Sequence, residues 1–280
     1  MSFFEILEKR EIKSSEEFRR LVTLFRYQWR TLYGNTSVKQ IINENFYRVP
    51  VHIRQTFLSV DELLKELCVS EDPYYGNCWK ELFLYSEMLL NLINATKIYL
   101  DKDETARETA QQIIANIKVI LEKTNHEWRQ IKEGYVIVDK NPATTEAIEC
   151  LEDDKADLAL NMIEYNRVLL KGNLQRKREI LSNMAGYVEP LQNLFKGTAY
   201  SSLYSDSRNM VNNLNIRHNN SGKDSLPEYA KKWSEKEFEE WYDNCYHTLL
   251  MVILAKKQFK ITQDFNKLKS CENKNGEIEE

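Results

Sequence analysis

Apolar residues recur at spacings of three and four through most of this chain, which predicts helices that each bury one face. Phe18, Leu21, Val22, Phe25 and Trp29 share a face behind a cap at Ser14 or Ser15, so a helix is predicted to run to about Tyr33, where Gly34 and Asn35 end it. Shorter helices are predicted from Ser37 to Phe46 and, beyond the Pro50 break, from Val60 to Cys68. Between Tyr75 and Tyr99 the apolar positions cover more than one stripe, so that helix belongs at the centre of a core. Asp101 and Glu104 have capping-box spacing ahead of a helix whose Ala106, Ala110, Ile113, Ile117 and Ile120 share a face. These two helices are expected to form an antiparallel hairpin.

Gly134-Tyr135-Val136-Ile137-Val138 breaks the helical pattern with β-branched and aromatic residues, which predicts a short strand or an extended linker. A lone strand leaves its backbone groups unpaired, so a partner is expected near Val49 to Ile53 or from another subunit. Further helices are predicted from Asp153 to Leu170, from Leu174 to Phe195, and from Ser201 to Ile216. Ser234 and Glu237 form a capping box for a last helix whose apolar face runs to about Phe259. The expected organisation is a helical region over 1–133, a second over 134–270, and a flexible polar tail over 271–280.

Only 8 Gly and 5 Pro punctuate the 280 residues, which suits long helices and not a many-stranded sandwich. The expected fold is therefore all-α: a helical bundle, as one domain or as two packed helical subdomains, with one short extended segment. A formal charge of −4 gives no bulk attraction to phosphate polymers, so any RNA contact must come from a local patch. Five widely spaced cysteines without a CxxC pair suggest reduced thiols. No apolar run is long enough for a membrane span and Met1 to Arg10 lacks a leader pattern, so no membrane partner and a cytoplasmic location are expected.

The common catalytic and nucleotide-binding motifs are missing, and no cofactor or metal site is expected. One stretch stands out: Asn212-Asn213-Leu214-Asn215-Ile216-Arg217-His218-Asn219-Asn220. Asparagine fills helix interiors poorly, so this density means a helix end, an amide network or a binding surface. As a site, Arg217 would grip a phosphate while His218 passes a proton, and Asn213, Asn215 and Asn219 would orient them. Such a pair suits metal-free RNA cleavage, with a second histidine coming from a symmetric subunit or from elsewhere in the chain. Arg208 lies two and a half turns earlier on a similar side, and Lys223 follows in the loop, so both are candidate substrate contacts. As structure, the same stretch is a C-terminal helix cap. Lys171, Arg176, Lys177 and Arg178 form a second basic cluster at a predicted turn.

Tyr135 to Asn141, Asn161 to Arg178 and above all Asn215-Ile216-Arg217-His218-Asn219-Asn220 resemble bacterial abortive-infection proteins of phage defence, over roughly residues 130 to 260. Such proteins are likened to the HEPN superfamily, whose members are helical, commonly dimeric and in many cases metal-independent ribonucleases. The resemblance implies RNA or a nucleotide as ligand, a homodimer, and Arg217 with His218 as the site. The usual HEPN signature separates Arg from His by four to six residues. Here nine separate Arg208 from His218, while Arg217 adjoins it. The alternative is a non-catalytic helical sensor or adaptor that acts through protein–protein contacts.

Overall fold

The structure is a computed structural model that describes residues 5, 9–32, 34–70, 78–152, 155–217 and 226–275, with side chains as far as 269. Among these residues helices dominate and the strands form two small antiparallel hairpins, so the fold is all-α as expected. The chain divides into two compact units, Met1–Lys140 with Arg167–Leu169, and Asn141–Asn166 with Leu170–Glu280. The division thus follows Lys140 instead of residue 133 and leaves the strand segment in the first unit.

In the first unit, α1 (Ser14–Arg26) buries Phe18, Leu21 and Phe25. It stops well short of Tyr33, because Trp29 leaves the helix for a hairpin of β1 (Trp29–Thr31) with β2 (Gly34–Thr36). The competing attraction is long-range: the Trp29 indole donates to Asp103 Oδ2 at 2.9 Å. Ser37 caps α2 (Val38–Glu44) by accepting from Gln40 N at 3.2 Å. The short α3 (Val51–Arg54) occupies the stretch expected to supply a strand partner, and α4 (Val60–Glu66) follows a Ser59 cap. Residues 71–77 lie outside the described set, so the predicted helix start at Tyr75 does too. From Trp79 the helix α5 (Trp79–Thr96) is central as expected, with Leu82, Tyr85, Leu89, Leu92 and Ile93 wholly buried.

Asp103, and not Asp101, caps α6 (Glu104–Lys123), accepting from Ala106 N at 3.1 Å. Asp101 instead braces the cap by accepting from Asp103 N at 2.9 Å. Desolvation raises the Asp103 pKa, but the Trp29 indole and the backbone N–H groups of Ala106 and Thr105 outweigh it and hold the carboxyl low. Both α5 and α6 pack on α1.

The strand foreseen at Gly134 is β4 (Gly134–Asp139), and its partner is the adjacent β3 (His126–Ile131), in register from His126↔Asp139 to Ile131↔Gly134. Lys132 and Glu133 make the tight turn, so neither residues 49–53 nor a second subunit is needed to pair the strand. Side chains of α5 anchor it: Asn91 accepts from Tyr135 N and donates to Tyr135 O, both at 2.8 Å, and Glu87 accepts from Ile137 N at 2.9 Å.

The second unit opens with α7 (Pro142–Glu149), a helix the periodicity does not predict, capped by Asn141. Next, α8 (Ala156–Tyr165) is shorter than the predicted span, because Asn166 turns back to donate to Met162 O at 2.8 Å. Pro190 divides the predicted Leu174–Phe195 helix into α9 (Leu174–Val188), a 3-10 turn and α10 (Gln192–Phe195), since proline offers no N–H and crowds the preceding turn. Then come α11 (Ser201–Asn213) and the 41-residue α12 (Glu235–Asn275). The predicted capping box of α12 forms, with Ser234 N donating to Glu237 Oε2 at 2.7 Å and Glu237 N to Ser234 Oγ at 3.3 Å.

Phe259 is the last residue of α12 packed on the core, yet the helix continues to Asn275. Of the tail expected over 271–280, residues to Asn275 are therefore helical, and the remainder lies outside the described residues. Among the described residues no helix is long and apolar enough to cross a membrane.

Candidate functional sites

The asparagine-rich stretch ends α11. Leu214 is the cap residue, Asn215 takes a left-handed conformation at φ +54°, Ile216 N donates to Val211 O at 3.0 Å and Asn215 N to Asn212 O at 3.2 Å. This is a Schellman stop, completed by the buried Ile216 and Val211, which share one core cluster. Asparagine is the residue after glycine best suited to that left-handed position, so the backbone alone accounts for Asn215.

Arg217 emerges beside this stop. Its Nη2 donates to both Glu189 carboxylate oxygens at 2.6 Å, and the two side chains are 33% and 50% exposed. Tyr204 braces the turn that carries Glu189 by donating from its hydroxyl to Glu189 O at 3.1 Å. Arg208 is exposed and donates to Gln192 Oε1 at 3.4 Å, while Asn213 is exposed in the last turn of α11. Arg208, Arg217 and Glu189 line one cavity with Tyr204 and Leu249, but its volume is only about 20 Å³. That is room for about one water molecule, not for a ribose phosphate. Glu189 engages Nη2 of Arg217 and offsets its charge, so a phosphate approaching Arg217 meets an adjoining carboxylate. His218, Asn219 and Lys223 lie outside the described residues.

The second basic cluster is tied up by carboxylates. Arg176 makes a two-pronged contact with Glu164 at 2.8 and 2.7 Å and meets Glu179 at 2.9 Å, and these hydrogen bonds push its pKa up. Lys177, only 4% exposed, bonds Asp243 at 2.7 Å and Glu239 at 2.8 Å and lies over the Tyr165 ring. Glu239 keeps a lowered pKa: desolvation raises it, but Lys177 and the Gly172 N–H prevail. The cluster fastens α9 to α12.

A concave site in the first unit was not foreseen. Its volume is about 250 Å³, and Ile53, Leu63, Leu84, Met88 and Ile131 supply apolar walls. Glu87 and Arg167 give it a polar side, with the exposed His52 and Glu133 also lining it. Arg167 Nη2 donates to Glu87 Oε1 at 2.6 Å, and Ile137 N occupies Oε2. Burial raises the Glu87 pKa against the lowering pull of Arg167. The buried Nε of Arg167 meets no hydrogen-bond partner among the described residues.

Glu87 and Arg167 are 80 positions apart and meet because Arg167 forms a β-bridge with Val138. The one signal for them in the sequence is a carboxylate set among Phe83, Leu84, Met88, Leu89 and Leu90 in a mainly apolar stretch. Among the described residues no three His, Cys, Asp or Glu side chains gather to hold a metal ion. The chain matches no family model, no curated protein and no solved structure, so its function is argued from these sites.

Proposed function

We propose that this chain is a non-catalytic helical adaptor, in the phage-defence setting that its motif resemblance implies, and that it acts by pairing the end of α12 with the same segment of a second copy. The observation that carries this reading is the overhang of α12. From Lys260 to Asn275 the helix extends beyond its last core contact by about 24 Å, at a rise of 1.5 Å per residue. As the continuation of a formed helix this stretch needs no new nucleus, but it has no core of its own chain to bury a face against.

Ile261, Phe265 and Leu268 are 50%, 55% and 65% exposed and spaced by four and three, which sets them on one face. The charge order favours a second copy in antiparallel register. In the sequence of the overhang Lys260, Lys267 and Lys269 outnumber Asp264, and Glu272, Glu277, Glu279 and Glu280 then follow against Lys274.

Arg217, already neutralised by Glu189 over a cavity of about 20 Å³, gives little support to phosphodiester cleavage. The test compares sedimentation equilibrium of the wild type with that of the Phe265→Glu/Leu268→Glu variant from micromolar to millimolar concentration. Total RNA is incubated with each protein under chelator in parallel. The expected result is a wild-type dimer, a folded but monomeric variant, and intact RNA. A monomeric wild type, or a dimer indifferent to the two charges, rejects the adaptor reading. RNA degradation that Arg217→Ala abolishes replaces it with the ribonuclease one.

A further inference from the structure

The first-unit cavity has the composition of a small-molecule site: mostly apolar walls with a few polar groups converging on one side. Three observations narrow what it takes. The first is volume, because about 250 Å³ lies below the roughly 300–1,000 Å³ of drug-sized sites and admits a ligand of about ten non-hydrogen atoms.

The second is hydrogen-bonding capacity. Asn91 lines the cavity but is consumed by the backbone, donating to Glu87 O and Tyr135 O and accepting from Tyr135 N. Each Glu87 oxygen already accepts one bond, from Arg167 or from Ile137 N. Arg167 has donors to spare, since a guanidinium carries five N–H groups, its one side-chain hydrogen bond among the described residues goes to Glu87, and the side chain is 29% exposed. On the polar side of the cavity Arg167 is therefore the side chain with unspent donors.

The third is charge. Glu87 and Glu133 set two carboxylates against the single guanidinium of Arg167, a sum of −1 with His52 neutral and 0 with it protonated. Neither sum attracts an anion, so the acceptor that Arg167 lacks should come from an uncharged group.

We propose that this cavity binds a small, uncharged, largely apolar molecule whose carbonyl oxygen accepts from Arg167. The reading is independent of α12 and of self-association. Hexanamide, hexanoate and hexylamine share one chain length and differ in the charge of the head group, so they serve as probes. Each is titrated into the full-length protein by ligand-observed NMR, with wild type, Ile53→Trp and Arg167→Lys compared. The Trp fills the cavity from an apolar wall without touching the ion pair. The Lys keeps the charge facing Glu87 but lacks the guanidinium fork.

Saturable binding of hexanamide is expected, with hexanoate and hexylamine at least tenfold weaker, loss of binding in Ile53→Trp, and a tenfold or greater weakening in Arg167→Lys. Leu84→Trp, on another wall, replaces Ile53→Trp should the latter fail to fold. The proposal is overturned by absent or non-saturable hexanamide binding, by tighter binding of either charged probe, or by binding that survives a folded wall variant or stays within tenfold of wild type in Arg167→Lys.

Discussion

Gly134 is the position where one methyl group should do most damage to the first unit. Its φ of +142° is a conformation that residues with a Cβ rarely adopt, and an added Cβ would lie 2.2 Å from Asn91 Oδ1 and 3.2 Å from Asn91 Cγ. Asn91 cannot swing away cheaply, because that amide holds both backbone groups of Tyr135 at 2.8 Å. Backbone strain of this kind costs about 1–3 kcal/mol, and each lost hydrogen bond about 0.5–1.5 kcal/mol, so Gly134→Ala should destabilise the unit by roughly 2–6 kcal/mol. Placing the same substitution in an Asn91→Ala background separates the two causes. There the clash is gone and only strain remains, so the second change should cost about 1–3 kcal/mol. Urea unfolding of the four proteins gives the cycle, and amide exchange at Tyr135 and Ile137 localises the effect to the hairpin. A cost for Gly134→Ala below about 0.5 kcal/mol, or full additivity with Asn91→Ala, would refute the reasoning.

At Lys177 the two ways of breaking the cluster should differ. Glu239→Gln with Asp243→Asn strands an ammonium that is 4% exposed and should cost about 3–5 kcal/mol, whereas Lys177→Met leaves carboxylates 23% and 44% exposed, which water can reach, and should cost less in urea unfolding. The reverse order would show that burial does not set the cost. Glu87 has a folded pKa raised from 4.5, so its contribution to stability is complete below pH 4.5 and is lost as pH rises through the folded value. Stability should fall across that window more steeply in the wild type than in Glu87→Gln, and a carboxyl NMR titration of Glu87 with its midpoint below 4.5 would contradict this sign. Asn215→Gly should raise the thermal stability of the second unit by about 0.5–1 kcal/mol by relieving the left-handed strain, while Arg217→Ala should change it by no more than about 1 kcal/mol, its pair with Glu189 being exposed. A lower melting temperature for Asn215→Gly would count against the Schellman assignment.

What the sequence makes legible here is what local physics decides. The dense apolar positions of α5, the Ser234–Glu237 box of α12 and the stop after α11 depend on residues within a few turns of each other, and each is found. The errors have long-range causes. Trp29 reads as a helical position, but its indole partner is Asp103, 74 residues away. The partner strand of β4 is masked because His126-Glu127-Trp128-Arg129-Gln130-Ile131 carries few β-branched residues, and its pairing is fixed by the turn at Lys132 and Glu133 and by Asn91 and Glu87 from another helix. The basic cluster at Arg176 and Lys177 looks free in sequence because Glu164 precedes it by a helix, and Glu239 and Asp243 follow some sixty residues later on α12.

The same limit explains why the most conspicuous motif and the cavity beside Arg167 are different places. An arginine is available to a ligand only if its donors exceed the acceptors that the fold supplies and if there is volume beside it. Arg217 stands out by its neighbours in sequence, but the Glu189 carboxylate offsets its charge and the adjoining space is only about 20 Å³. Arg167 has unremarkable neighbours, yet it keeps a buried Nε without an acceptor among the described residues, and it borders about 250 Å³ of mostly apolar space. Neither quantity is a property of residue type or spacing. Both emerge only after Glu189 has been set beside α11 and after Val138 has drawn Arg167 towards Glu87, so a search for function by motif ranks these two guanidinium–carboxylate pairs in the opposite order to one that counts unspent donors and open volume.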